Sequence, residues 1–464
     1  MNLKKTLKYL SFSYFVLLFA LILTLVLDLE LCYPQSLTSP NIHSIQPYHP
    51  RLALHSMPSA PKHITGSGTS IAPYVLYDAL DVDSIRYLGM NNKYYVLAND
   101  IDLSSISEFV PIPYDANTGT FSLDGKNHTL SGMKQTLSVY SSSSSATSLG
   151  MFMGRGSTGI VIIKDLIIDG FKIHLSSSAN QSGTYTCGSI LIAHISYNSS
   201  TRLTNITIRN STLKFSGNPS SYPSQSYYGF LVGRFEAGSP DNSSLIKNCL
   251  VENDSLIFST GITPNSGHFI GGIVGYLGGS YTYQFERNIS RNNYFYSRVG
   301  YTTRKNIGGG LIGEISTPAS NIRYNFSHSN KADFGNGGSP NNFPWGWGGI
   351  FGYTSVNNIH TFQQNYAANN QCLGTNQSGG FYVEDNSLTT AQSFDSTLNF
   401  CDITSFTEPN TVYGSVRLTA SGYPTAKTSA QLKDINTFIG WDFTNTWAID
   451  STKNNGYPYL RSEE

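Results

Sequence analysis

Apolar and polar residues alternate along most of this chain, and the alternation is packaged into units of about 40 residues. A Gly-rich apolar motif opens each unit: GMFMG (150–154), GSILI (188–192), GFLVG (229–233), GGIVG (271–275), GGLIG (309–313) and GGIFG (348–352). Their first glycines are 38, 41, 42, 38 and 39 residues apart, and a frayed copy, GGFYV (379–383), follows after 31. Between 15 and 19 residues after each motif comes Asp165, Asn205, Asn248, Asn288, Asn325 or Asn365. Five residues further on stand Gly170, Asn210, Asn253, Asn293, Asn330 and Asn370. Apolar residues before, one after and three after the first Asp/Asn predict the inward faces of short strands. Asn or Gly at both registered positions suits a left-handed corner, and stacked Asn side chains can hydrogen-bond one another along a ladder. A registered period of this length predicts an all-β coil, a parallel β-helix, with the repeats over about 148–385. Each period makes either two turns of roughly 20 residues or one larger turn, and the glycines allow coils to approach closely.

The flanks break the pattern. An apolar run from about Tyr9 to Leu27 follows Lys4, Lys5 and Lys8, so residues 1–31 read as a signal peptide or a membrane anchor. Either exports the body to the cell surface or beyond. Residues 32–70, rich in Pro, Ser and His, read as a linker. Acidic residues leading Leu80, Ile85 and Leu88 predict a short helix over 78–89 as an N-terminal cap. In GTFSLDGKNHTLSGM, Asp124-Gly125 predicts a tight turn between strands. A C-terminal cap over about 428–464 begins with a helical SAQLKD, and Trp441, Phe443 and Trp447 are expected to cover the last coil. The β-helix with its caps therefore spans 71–464.

Composition narrows the function. Charged residues are 12% and the formal net charge is zero, which argues against nucleic acid as a partner. Five cysteines without a CxxC do not make a disulfide framework. Cys249 reads as a small buried apolar residue, and a Cys372–Cys401 bridge is open but not required.

GGIVG, GGLIG and GGIFG resemble the GLUG motif of bacterial adhesin-like surface proteins with β-helical repeats. YYVLANDIDLS with FSLDGKNHTLSGM, and the closing TSAQLKD…WDF…NNGYPYLR, resemble the usual first and last segments of that group. The resemblance covers roughly 71–461 and implies a right-handed β-solenoid displayed outside the cell, without implying one shared activity. Some members are secreted zinc peptidases; no HExxH occurs here, so no such site carries over.

No catalytic, cofactor or metal site is expected. Gly154–Gly159 spells GxGxxG but leads into a β run, which a dinucleotide site does not. Parallel β-helices do host polysaccharide lyases and glycosidases, which need converging acids. Asp165, Asp169 and Lys164 are nearest to that pattern, yet Asp165 reads as a turn residue. Arg291 and His328 replace inward apolar residues and read chiefly as a loosened inner face; His194 reads as a solvent-facing strand residue. Tyr222, Tyr227, Tyr228, Trp345 and Trp347 lie in or beside variable loops and are the expected ligand contacts, since exposed aromatics make platforms for sugars and proteins. The expected function is non-catalytic adhesion or extracellular binding of a glycan or protein, with the membrane touched only by the N-terminal helix. A carbohydrate-active enzyme or a self-assembling surface protein are the alternatives.

Overall fold

The computed structural model describes residues 63–464 except 114–118, 140–146, 155–158, 178–184, 196–199, 218–224, 237–243, 260–266, 280–281, 298–305, 318, 335–344, 355–358, 374–376, 382–397 and 403–423. The apolar run at 9–27 and most of the linker lie outside them. Among the described residues no helix is long and apolar enough to cross a membrane.

The described body is a β-solenoid. Pairing is parallel nearly throughout, and partners lie one sequence period apart: Leu166 pairs with Ile206, and Thr207 with Leu250. One period is therefore one large turn. Within a turn the chain adds to the long 16-stranded sheet, then to a 7-stranded sheet, then to a second 7-stranded sheet and a 5-stranded one. The last two are joined by the Gly-rich motif. The motif's glycines work by close approach: a Cβ on Gly275 would meet Tyr228 N at 2.4 Å and Gly233 O at 2.5 Å. Backbone thus lies where a side chain would go.

The second half of each unit turns inward as expected in the early coils. Ile163, Leu166 and Ile168, and their partners Leu203, Ile206 and Ile208, are fully buried. Burying each such side chain contributes roughly 1.5–3 kcal/mol. Cys249 sits in the same inward column, 1% exposed. Asp165, Asn205, Asn210, Asn248 and Asn253 all have φ between 51° and 58°, and Gly170 has 68°: these are left-handed corners. On the outside, Asn205 Nδ2 donates to Asp165 Oδ1 (2.7 Å) and Asn248 Nδ2 to Asn205 Oδ1 (2.9 Å).

From the fourth repeat the register moves by one residue. The left-handed corners are Arg287, Asn292, Tyr324, Ser329, Gln364 and Asn369. Asn288, Asn325 and Asn365 are not corners; they continue the inward column below Cys249 and are fully buried. Asn293, Asn330 and Asn370 do the same below Ser211 and Asp254. Each buried Asn accepts the amide of its partner one coil back and donates to a carbonyl there. Asn325 Oδ1 accepts from Asn288 N (2.8 Å) while its Nδ2 donates to Phe285 O (2.9 Å). Asn330 Oδ1 accepts from Asn293 N (3.0 Å) while its Nδ2 donates to Ser290 O (2.9 Å). These bonds hold the corners in place although Arg, Tyr and Gln pay roughly 1–2 kcal/mol for a left-handed backbone.

A one-residue shift turns a strand over. Ile289, Phe326 and Tyr366, expected inside with Leu166 and Ile206, instead point to the outer face of the long sheet. There, with Phe400, they pack under Leu432, Phe438, Trp441, Trp447, Tyr457 and Leu460. The C-terminal cap therefore lies along the flank of several coils, and its Trp441, Phe443 and Trp447 reach the last described one at Leu398 and Phe400. At its start, where a helix was expected, stand two 3-10 turns, Gln431–Lys433 and Ile435–Thr437.

The N-terminal helix spans Ala79–Leu88, capped by Asp78, whose side chain accepts from Asp81 N. Its buried residues are Ala79, Asp81, Val82, Ser84 and Ile85; Leu80 is half exposed. Asp124-Gly125 is no hairpin. It lies inside the strand Thr120–Ser131, where the register slips between Asp124 and His128 and Lys126 and Asn127 take positive φ. The described cysteines, Cys187, Cys249, Cys372 and Cys401, are all buried, and none is in a disulfide.

Candidate functional site

The shifted register sets one outward column of the long sheet: Asp169, Arg209, Glu252, Arg291 and His328 are successive partners. Acid and base alternate along it. Arg209 Nε bonds Asp169 Oδ2 and Arg291 Nε bonds Glu252 Oε2, both at 2.8 Å. The cap then closes over the lower end of the column. Arg291 Nη1 reaches Glu463 Oε2 at 2.6 Å, so one guanidinium holds two carboxylates. Burial pushes the Glu463 carboxyl up, against the pull of Arg291.

Between column and cap lies a cleft of about 350 Å³. The coil lines it with Glu252, Arg291, Asn292 and His328, the cap with Thr452, Asn454 and Asn455. Three of these, Asn292, Asn454 and Asn455, have positive φ. Asn454 Nδ2 donates to Pro458 O (2.8 Å) and Tyr366 Oη (3.0 Å), which pins this part of the cap over the coil. His328 is 1% exposed, its ring edge-to-face on Tyr457 with centroids 4.7 Å apart. Its Nε2 has no hydrogen-bond partner. Desolvation, then Arg291 and Lys433, lower its pKa to about 4, so the ring is neutral at neutral pH. The cleft thus presents one acid, one compensated guanidinium, a neutral imidazole, amides and a hydroxyl.

A search of family models finds no match, and neither does a search of curated proteins. Among solved structures, one from Bacteroides ovatus, described as a "putative immunoglobulin A1 protease", is similar with a TM-score of 0.38 and 16% identity. The match covers 86% of this chain and 95% of that one. A likeness at this level carries no argument about activity.

The aromatic residues expected at loops are placed otherwise. Tyr227 and Tyr228 belong to the strand Gln225–Gly229 and are 2% and 3% exposed. Tyr228 packs on Phe215 and Phe258 in the core. Trp347 is fully buried in the strand Trp345–Gly348, its ring 4.8 Å from that of Phe295. None of these three offers a face to a ligand. The Trp345 side chain and all of Tyr222 lie outside the described residues. Tyr227 belongs to a buried ionic cluster between the two sheets joined by the Gly-rich motif. There Arg234 lies 4.9 Å from the Tyr227 ring and 5.0 Å from that of Tyr276. Glu236 accepts from Arg234 (2.6 Å) and bonds His194 (3.1 Å). His194, expected at the solvent, is 3% exposed.

Asp165 and Lys164 do meet, at 3.0 Å, and Lys164 also reaches Asp124 at 2.8 Å. Asp169 is not part of that group; it pairs with Arg209. Arg291 and His328, read as a break in the inner face, stand on the outer face; the inner positions are Ser290 and Ser327, both buried. Sequence reasoning missed Glu252, Asn292 and the whole cap contribution. The recoverable signal was the charge alternation one period apart, Asp169, Arg209, Glu252 and Arg291, visible once the register is allowed to slip.

Proposed function

We propose that the protein is a secreted or surface-displayed β-solenoid of the GLUG-repeat kind that binds a glycan or protein outside the cell and performs no catalysis. The alternation in the outward column carries this reading. Hydrolysis or elimination on a sugar needs acids left free to face the scissile bond. Here Asp169 and Glu252 are each bonded to a guanidinium and separated by one, and the acids are spent on fastening coil to coil. A rigid coil with polar side chains at a cleft suits recognition. The export expected from residues 9–27 and the resemblance of the repeats agree with display outside the cell.

One observation favours a carbohydrate-active enzyme instead: Glu252 and Glu463 share Arg291, and the Glu463 carboxyl is pushed up by burial. The full chain applied to a glycan array, beside a reducing-sugar release assay on the bound glycans, separates the two. Binding without release supports the proposal. Release that disappears in Glu252→Gln or Glu463→Gln would overturn it.

A further inference from the structure

Which ligand suits the cleft follows from charge and hydrogen-bonding capacity, on the binding reading just given. The one cation, Arg291, already faces two carboxylates, Glu252 Oε2 at 2.8 Å and Glu463 Oε2 at 2.6 Å. An anionic ligand would compete with both for the guanidinium. The remaining lining groups are carboxamides, a hydroxyl and a neutral ring, which both donate and accept. Hydroxyl groups do the same. A volume near 350 Å³ stands at the lower end of ligand sites and accommodates one pyranose ring.

A second observation points to an occupant. His328 Nε2 is buried and unpartnered, on a residue that lines this cleft and is only 1% exposed. A buried nitrogen without a partner destabilises the fold, and one that persists calls for a partner the chain does not supply, water or a ligand. We propose that the cleft binds one neutral pyranose unit of a glycan, with a sugar hydroxyl hydrogen-bonded to His328 Nε2 and others to Glu252 and the carboxamides of Asn292 and Asn455.

Purified full chain is titrated with the methyl glycosides of glucose, galactose and mannose, and with methyl galacturonoside as the anionic control, followed by saturation-transfer NMR. His328→Phe keeps a ring against Tyr457 and removes the nitrogen; Asn455→Gly keeps the positive φ and removes the amide. At least one neutral glycoside should bind saturably. Affinity should fall about tenfold or more in His328→Phe, the loss of one good hydrogen bond, while the melting temperature holds or rises. A merely structural histidine would give the reverse. Preference for the galacturonoside would overturn the ligand class, and silence from all neutral probes would overturn the site. Array binding that survives both substitutions would sink the cleft while leaving the binding reading intact.

Discussion

Replacing Asp254 by asparagine puts a donor where the chain carries an acid. Asp254 is 1% exposed and occupies the inward column between Ser211 and Asn293. Its Oδ1 accepts from Ser211 N at 2.6 Å, while Oδ2 has no partner. Further along the column the matching atom is an amide nitrogen: Asn293 Nδ2 donates to Val251 O at 3.0 Å and Asn370 Nδ2 to Ser327 O at 3.1 Å. Desolvation, with Glu252 and Asp169 nearby, holds the Asp254 carboxyl well above the usual carboxylate range. The unfolded chain ionises near 3.8, the folded one higher. Below the lower value both states are protonated and nothing is lost. As pH rises above it the unfolded state alone releases its proton, and stability falls by about 1.4 kcal/mol per pH unit until the folded pKa is reached. Asparagine does not titrate, and its amide adds about 1 kcal/mol at any pH. The advantage of Asp254→Asn should therefore be small near pH 4 and widen towards neutrality. Urea midpoints of both proteins at several pH values, with hydrogen exchange at the Ser211 amide, measure it. Parallel curves, or a variant weaker at every pH, would refute the buried-acid argument.

The two kinds of asparagine should behave oppositely. Asn325→Ala strands Asn288 N and Phe285 O and should cost about 2–5 kcal/mol, whereas Asn205→Gly at an exposed corner should change the urea midpoint little. Gly275→Ala drives a Cβ into Tyr228 N and should cost several kcal/mol, about 3 or more, seen as a lowered melting temperature and lost protection in the Gln225–Gly229 strand. Burial pushes the Cys249 and Cys401 thiols up to about 12 and the Cys187 thiol higher still. Iodoacetamide should therefore leave these three unmodified in native protein and label them in urea, as intact mass will show.

The coil was legible because two physical requirements write themselves into the chain: inward apolar residues at period two, and glycine where backbones touch. The register was not. Asn serves equally as a left-handed corner, as at Asn205, and as a buried link, as at Asn325, and nothing local tells the two apart. Once the buried links are formed, Arg287, Tyr324 or Gln364 can occupy the corner, so the polar signature of the turn vanishes there. Tyr227, Tyr228 and Trp347 were misplaced for a related reason: they stand beside variable segments in sequence but within strands in space. Arg291 and His328 stood out as irregular, yet Glu463 and Tyr457, which meet them, come from a cap with no period, more than 100 residues away.

Every buried asparagine among the described residues reaches backward, its oxygen and its amide both engaging the preceding coil. A coil is thus fastened only when the next one has been laid, and the fastening has a direction along the chain. Such a body is suited to winding up from its N-terminal end as the polypeptide emerges, each turn locking its predecessor. The cap, arriving after them, then clamps these turns from the side.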